Sequence, residues 1–192
     1  MRRKLRILVS VVAVAISGVA LSVQLNGAAL KSDMLLVAAA RTSDVAEVRR
    51  LIRQGADVNQ AEPDGATALH WASHQNDPEI VKLLLDAGAA VAVVNRYGVQ
   101  PLSLAAENGN AVILELLLEA GADPNASLPE GETALMTAAR AGDADSIRVL
   151  LVHGADPNAR DSYRGQTALM WAAARNHAAA IHTLAELGAD VH

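Results

Sequence analysis

The chain has 192 residues, a formal net charge of -5, and a composition that is 52% hydrophobic but only 2% aromatic. That apolar content excludes a disordered acidic or Pro-rich polymer, and the shortage of aromatic and alternating β-branched runs argues against a sandwich or barrel. Forty alanines and no cysteine point instead to short, closely packed helices without disulfides, thiolate zinc sites or cysteine nucleophiles.

Residues 1–6 hold four cations, and residues 7–25 follow without a charge of either sign. This is a basic n-region before an apolar h-region. Gly27 and Ala29 supply a small-residue cleavage pattern, with Leu30 or Lys31 as the mature start. The alternative is an uncleaved anchor, because the apolar stretch approaches the roughly 20 residues that a bilayer requires. Ser10, Ser17, Gly18, Ser22 and Gln24 dilute it. Both readings send the remainder across the membrane, since the basic end stays in the cytoplasm. The expected location is periplasmic or secreted, or inner-membrane anchored facing the periplasm if uncleaved. Membrane contact is expected only through residues 7–25. Without Arg2, Arg3, Lys4 and Arg6 the charge falls to -9, which suits nucleic acid poorly.

The rest of the chain repeats. Gly55, Gly88, Gly121, Gly154 and Gly188 form one series with a period of 33, and Gly65, Gly98, Gly131 and Gly165 form another. Both series gain one residue between Gly154 and Gly165, which places an insertion near Ser162-Tyr163. Thr-Ala-Leu-His-Trp-Ala at 67–72 returns as Gln-Pro-Leu-Ser-Leu-Ala at 100–105, Thr-Ala-Leu-Met-Thr-Ala at 133–138 and Thr-Ala-Leu-Met-Trp-Ala at 167–172. Gly-Ala-Asp-Val-Asn at 55–59 returns as Gly-Ala-Asp-Pro-Asn at 121–125 and 154–158.

Each unit reads as two short helices. Thr67 is an N-cap whose hydroxyl accepts from a backbone N–H, and Pro101 marks a first helical position. Leu69, Ala72 and Ser73 form an inward stripe. Asn76, Gly109 and Gly142 occupy equivalent breaks that tolerate a left-handed backbone. Asp77-Pro78 restarts the chain as a second helix, which ends at Gly88, and Asp44 with Glu47 has capping-box spacing. About ten loop residues then lead to the next unit. Helices this short are marginal alone, so neighbouring units must stack into a shared core.

The period, the Thr-Pro-Leu-His-x-Ala-like openings and the Gly-Ala-Asp-Val-Asn closing resemble the ankyrin repeat, of an exported bacterial type. The resemblance covers residues 31–192. It implies an all-α solenoid of helix-turn-helix units with β-hairpin-like finger loops, preceded by an N-terminal hydrophobic signal helix. Residues 1–29 are then a signal peptide or anchor, and residues 30–192 the repeat domain, with units near 31–63, 64–96, 97–129, 130–163 and 164–192. The sequence departs from the pattern at Gln100, which replaces the capping Thr, and at Met34 in the first unit. Ala90 and Ala92 replace the Asp and Asn of one finger, which removes polar bracing there.

No phosphate loop, His-Glu-x-x-His helix or Gly-x-Ser-x-Gly elbow occurs, so no catalytic residues, metal or cofactors are expected. His70 and His74 share an i, i+4 spacing that can chelate, but no third ligand lies near and His70 is the repeat's own histidine. His177 and His182 do not share a face. Asp57, Asp123 and Asp156 recur with the repeat and brace loops.

The resemblance places a binding face on the fingertips and the open side of the first helices. Tyr, Trp and Arg dominate interface energetics. Arg96-Tyr97 and Tyr163-Arg164 combine these types at fingertips, and Val94 belongs to an unusually apolar finger. Equivalence adds His74, Gln75, Glu107, Asn108, Arg140 and Arg175, together with Asp64, Val99, Glu130, Glu132 and Gln166. Trp71 and Trp171 read as interhelical filling or as contacts. The expected function is a scaffold that binds another protein. The alternative is a non-catalytic targeting or regulatory segment of a longer enzyme or toxin, because Ile181, Leu184 and Leu187 look like an internal unit.

Overall fold

The computed structural model describes residues 34–191, so the n-region, the h-region and the cleavage site lie outside the described residues. Among the described residues, no helix is long and apolar enough to cross a membrane. Regular structure there is helical. α1 covers 34–41, followed by α2 (Val45–Arg53), α3 (Ala68–His74), α4 (Pro78–Asp86), α5 (Pro101–Glu107), α6 (Ala111–Glu119), α7 (Ala134–Ala141), α8 (Ala144–Val152), α9 (Ala168–Ala174) and α10 (Ala178–Glu186).

Each helix pair turns on one left-handed residue. Ser43, Asn76, Gly109, Gly142 and Asn176 all have φ between 54° and 80°, at one position in each unit. Second helices then start on a side-chain cap: Asp44 accepts from Glu47 N–H, Asp77 from Ile80, Asn110 from Ile113 and Asp143 from Asp145. First helices start differently. The Thr133 and Thr167 hydroxyls accept from the N–H of Met136 and Met170, as the sequence predicts. Gln100 makes no side-chain cap bond.

Thr67 closes a reciprocal capping box with His70. Its hydroxyl lies 2.9 Å from His70 Nδ1, which also accepts the Thr67 N–H at 3.2 Å. The proton is therefore on Nε2, which donates to Val99 carbonyl at 3.2 Å. The histidine ties its own cap to the next finger.

α3, α5, α7 and α9 pack in series, and so do α2, α4, α6, α8 and α10, with each first helix also against its partner. The stripe residues Leu69, Leu102 and Leu135 are buried, and Leu169 partly so, alongside the buried Ile80, Ile113, Ile147 and Ala180 of the second helices. One continuous core runs from Leu36 to Ala189.

Asparagine clasps join successive units outside that core. Asn59 accepts from Ala90 N–H at 2.7 Å and donates to Gly88 carbonyl at 3.2 Å. Asn125 makes the same pair with Asp156 and Gly154, and Asn158 with Asp190 and Gly188. Asp57, Asp123 and Asp156 brace these asparagines by accepting their N–H groups at 2.9 Å. The equivalent position in the remaining finger is Ala92, which has no side chain to reach Gly121 or Asp123.

Candidate protein-binding cleft

The fingers are closed by one backbone bond each: Glu62 N–H to Ala66, Asn95 to Val99, Leu128 to Glu132 and Asp161 to Gln166. In the first three the fingertip glycine donates three residues back. In the fourth, Gly165 donates four back to Asp161. The inserted residue therefore sits in the tip, within 162–164. Asp161 absorbs it, because its carboxylate accepts N–H groups from Tyr163 at 3.0 Å, Arg164 at 2.6 Å and Gln166 at 3.3 Å. The Arg164 N–H and, less strongly, the Trp171 indole hold the Asp161 carboxyl below its ordinary value.

This widened tip forms one wall of a cleft of about 410 Å³ between the last two units. Glu130 and Glu132 enter it from the preceding finger, and Asp161, Tyr163, Arg164 and Gln166 from the tip. Arg140 of α7 and Trp171, Ala174 and the C-capping Arg175 of α9 form the floor and opposite wall. Fingers and first helices thus meet in one concavity.

Its charges are partly engaged. Trp171 Nε1 donates to Asp161 at 3.2 Å, and the Arg140 guanidinium stacks over the Trp171 ring at 5.7 Å. Arg140 also pairs with Glu132 at 3.3 Å, and Glu132 accepts from the Thr137 hydroxyl at 2.9 Å. Arg164 stacks over Tyr163 at 5.4 Å. Cation–π contacts of this kind contribute roughly 0.5–1 kcal/mol at exposed sites. Among the described residues, neither Arg164 nor Arg175 forms an ion pair.

A second, smaller cleft of about 180 Å³ lies between α3 and α5, lined in part by Asp64, His70, Trp71, His74 and Leu104. Trp71 repeats part of the Trp171 construction with two partners, Arg41 and Glu62, that lie outside this lining. Trp71 Nε1 donates to Glu62 at 2.7 Å, Arg41 stacks over Trp71 at 5.2 Å, and Arg41 pairs with Glu62 at 3.3 Å. Both indoles are half-buried against the core, which bears out interhelical filling, and each also edges a cleft.

Several residues expected at the surface have other employment. Gln75 donates its amide to Arg41 carbonyl, and Asn108 donates to Ser73 and His74 carbonyls at 3.0 and 2.9 Å. Both are exposed, but their amides tie off the preceding first helix. Arg96 is exposed while its guanidinium donates to Pro63 carbonyl at 2.8 Å and its N–H to Asp64 carbonyl at 2.7 Å, bracing one finger on the previous one. The apolar finger is only partly a surface feature, since Val91 packs on the core while Val94 and Tyr97 are 49% and 65% exposed. Glu107 and His74 are exposed, and Val99 is half-buried.

Asp161 and the Arg41–Trp71 and Arg140–Trp171 pairs escaped the sequence reading. A signal existed: an arginine and then an acid precede each tryptophan at repeat-equivalent positions, Arg41 and Glu62 for Trp71, Arg140 and Asp161 for Trp171.

The sequence model of the ankyrin repeats family (three copies) matches residues 35–127 and 102–192. This chain belongs to the ankyrin repeat family. Ankyrin repeats are in general protein–protein interaction modules, typically non-catalytic. Comparison with curated proteins returns no match. In this ankyrin chain the expected histidine roles divide. His70 is committed to the cap and the next finger, and His177 donates from Nε2 to Arg140 carbonyl at 3.1 Å. Among the described residues, no cluster of His, Asp or Glu is arranged to hold a metal ion.

Proposed function

We propose that this chain is an exported scaffold that captures another protein through its finger loops and first helices, centred on the cleft between α7 and α9. The observation that carries the reading is the composition of that cleft. An indole, a phenol ring and three guanidinium groups converge there from a fingertip and two first helices. Those residue types form the anchors of protein interfaces. Tyr163 is 81% exposed, and the packing described above gives it no interior role. Val94 and Tyr97 extend the face toward earlier fingers.

Export is supported by the basic residues 1–6 and the apolar residues 7–25. The mass of the mature chain distinguishes a start near Leu30 from an intact anchor. For the binding face, the chain serves as bait in an envelope extract, beside a Tyr163→Ser variant and an Arg148→Ala control on the exposed side of α8. Capture of a defined protein that weakens with Tyr163→Ser and survives Arg148→Ala supports the face. Equal capture by all three sinks it.

A further inference from the structure

We propose that the α7–α9 cleft receives an acidic side chain, an Asp or Glu flanked by apolar residues, on an extended segment of the partner. This rests on the binding face proposed above and adds the chemistry of what enters it.

Arg164 and Arg175 line the cleft without an ion-pair partner among the described residues. The two carboxylates deepest in the construction are already engaged, Glu132 by Arg140 and Thr137, Asp161 by the tip N–H groups and Trp171. Arg175 owes its freedom to a substitution elsewhere. Gln75 and Asn108, at the equivalent position of earlier units, are tied to the preceding helix end. In the last unit His177 takes over that duty by donating to Arg140 carbonyl. Gly142 makes room for it, since a Cβ there would lie 2.6 Å from His177 Nδ1. The guanidinium of Arg175 is left for the cleft.

The surroundings sharpen the selection. Residues 97–139 carry six carboxylates and no cation, and two of them, Glu130 and Glu132, enter the cleft itself, so attraction of an acidic side chain is confined to the Arg164 and Arg175 side of it. Tyr163 and Trp171 offer ring surface to the flanking apolar residues. Glu130 and the ionised Asp161 border the same space, which disfavours a doubly charged phosphate more than a singly charged carboxylate. A volume of about 410 Å³ falls within the roughly 300–1,000 Å³ of ligand pockets.

The test titrates the chain carrying Trp71→Phe, in which Trp171 is the remaining indole, with acetyl-Leu-Asp-Leu-Glu-Leu-amide while following indole emission. The Asn/Gln isostere and a Lys/Lys peptide are the comparisons. The acidic peptide is expected to saturate the signal, with the isostere at least about tenfold weaker and Arg175→Gln weakening the acidic peptide about fivefold. The double reversal Arg164→Glu with Arg175→Glu is expected to transfer preference to the lysine peptide. Equal binding of acidic peptide and isostere overturns the proposal. So does indifference to both arginine variants, or displacement of the peptide by inorganic phosphate at matching concentration. If these fail while Tyr163→Ser still abolishes partner capture, the acidic occupant is wrong and the face stands. If Tyr163→Ser is also silent, the face falls with it.

Discussion

Asp161 and His70 are two buried polar groups that hold fingers in place, and protons act on them in the same direction. The Asp161 carboxyl is held below its ordinary value near 3.8, chiefly by the Arg164 N–H. It contributes stability that is complete above that value and is lost as pH falls toward the folded one. Asp161→Asn is expected to flatten the acid limb of a stability profile and to loosen the tip, with Trp171 emission moving to longer wavelength. An unchanged acid limb removes the carboxylate from the account. His70 is pushed below its ordinary 6.5, first by burial, against the opposing pull of Val99 carbonyl. A histidine that protonates less easily when folded favours the unfolded chain as pH drops below 6.5, because the unfolded chain then binds the extra proton. Stability is expected to be level above that point and to fall below it by at most about 1.4 kcal/mol per pH unit, the weight of one proton. Protonation at Nδ1 removes the acceptor of both Thr67 groups, which gives the slope its structural cause. Denaturant midpoints measured from pH 8 to 5.5, with His70→Gln as comparison, check it. A slope that survives the substitution belongs to another histidine.

Finger-to-finger clasps belong to the scale of elements, and the gap at Ala92 makes them measurable. Ala92→Asn places an amide where Asn59, Asn125 and Asn158 make their paired bonds, within reach of Gly121 carbonyl and Asp123 N–H by repeat equivalence. A gain of about 1 kcal/mol is expected, the net worth of a hydrogen bond, and Asn125→Ala is expected to lose about as much. Chemical denaturation of the two variants measures both, and a destabilising Ala92→Asn denies that the clasp transfers. That gap was visible in the sequence because it is a missing letter in a periodic text. Three of the five left-handed turns, at Asn76, Gly109 and Gly142, were legible for the same reason, Asn and Gly recurring where a positive φ closes the helix pair. Ser43 entered that series only through the structure, since Ser is no special signal for the left-handed region. What periodicity could not show is where long side chains go between units. Gln75, Asn108 and Arg96 look like free surface polar residues in one dimension, yet each finds a carbonyl about a repeat away. The cleft was half legible. Arg140, Tyr163, Arg164 and Arg175 were singled out by type and register, whereas the tryptophan-to-carboxylate bonds depend on finger geometry that one-letter spacing does not carry.

The whole chain is held by neighbour contacts along one axis, so its stability should be uneven along that axis. α6 is the most continuously apolar helix and buries Ile113, Leu114, Leu117 and Leu118 between α4 and α8. α10 buries only Ala180, Thr183 and Leu184, lacks a side-chain cap at His177, and among the described residues packs chiefly on α8 and α9. Native-state hydrogen exchange on this 192-residue chain is therefore expected to show slow amides in α5 to α8 and faster opening of α9 and α10. A ligand in the α7–α9 cleft touches both sides of the interface that opens first. It binds only while α9 is seated on α7, so it should stabilise that interface by mass action, by about 2.7 kcal/mol at a hundredfold excess over its Kd. Protection is expected to rise in α9 and α10 and to stay unchanged in α2 to α4, which the ligand does not touch. Uniform protection along the array would mean that the units open as one body, and the cleft would then lie on a rigid surface rather than at a loosely held interface.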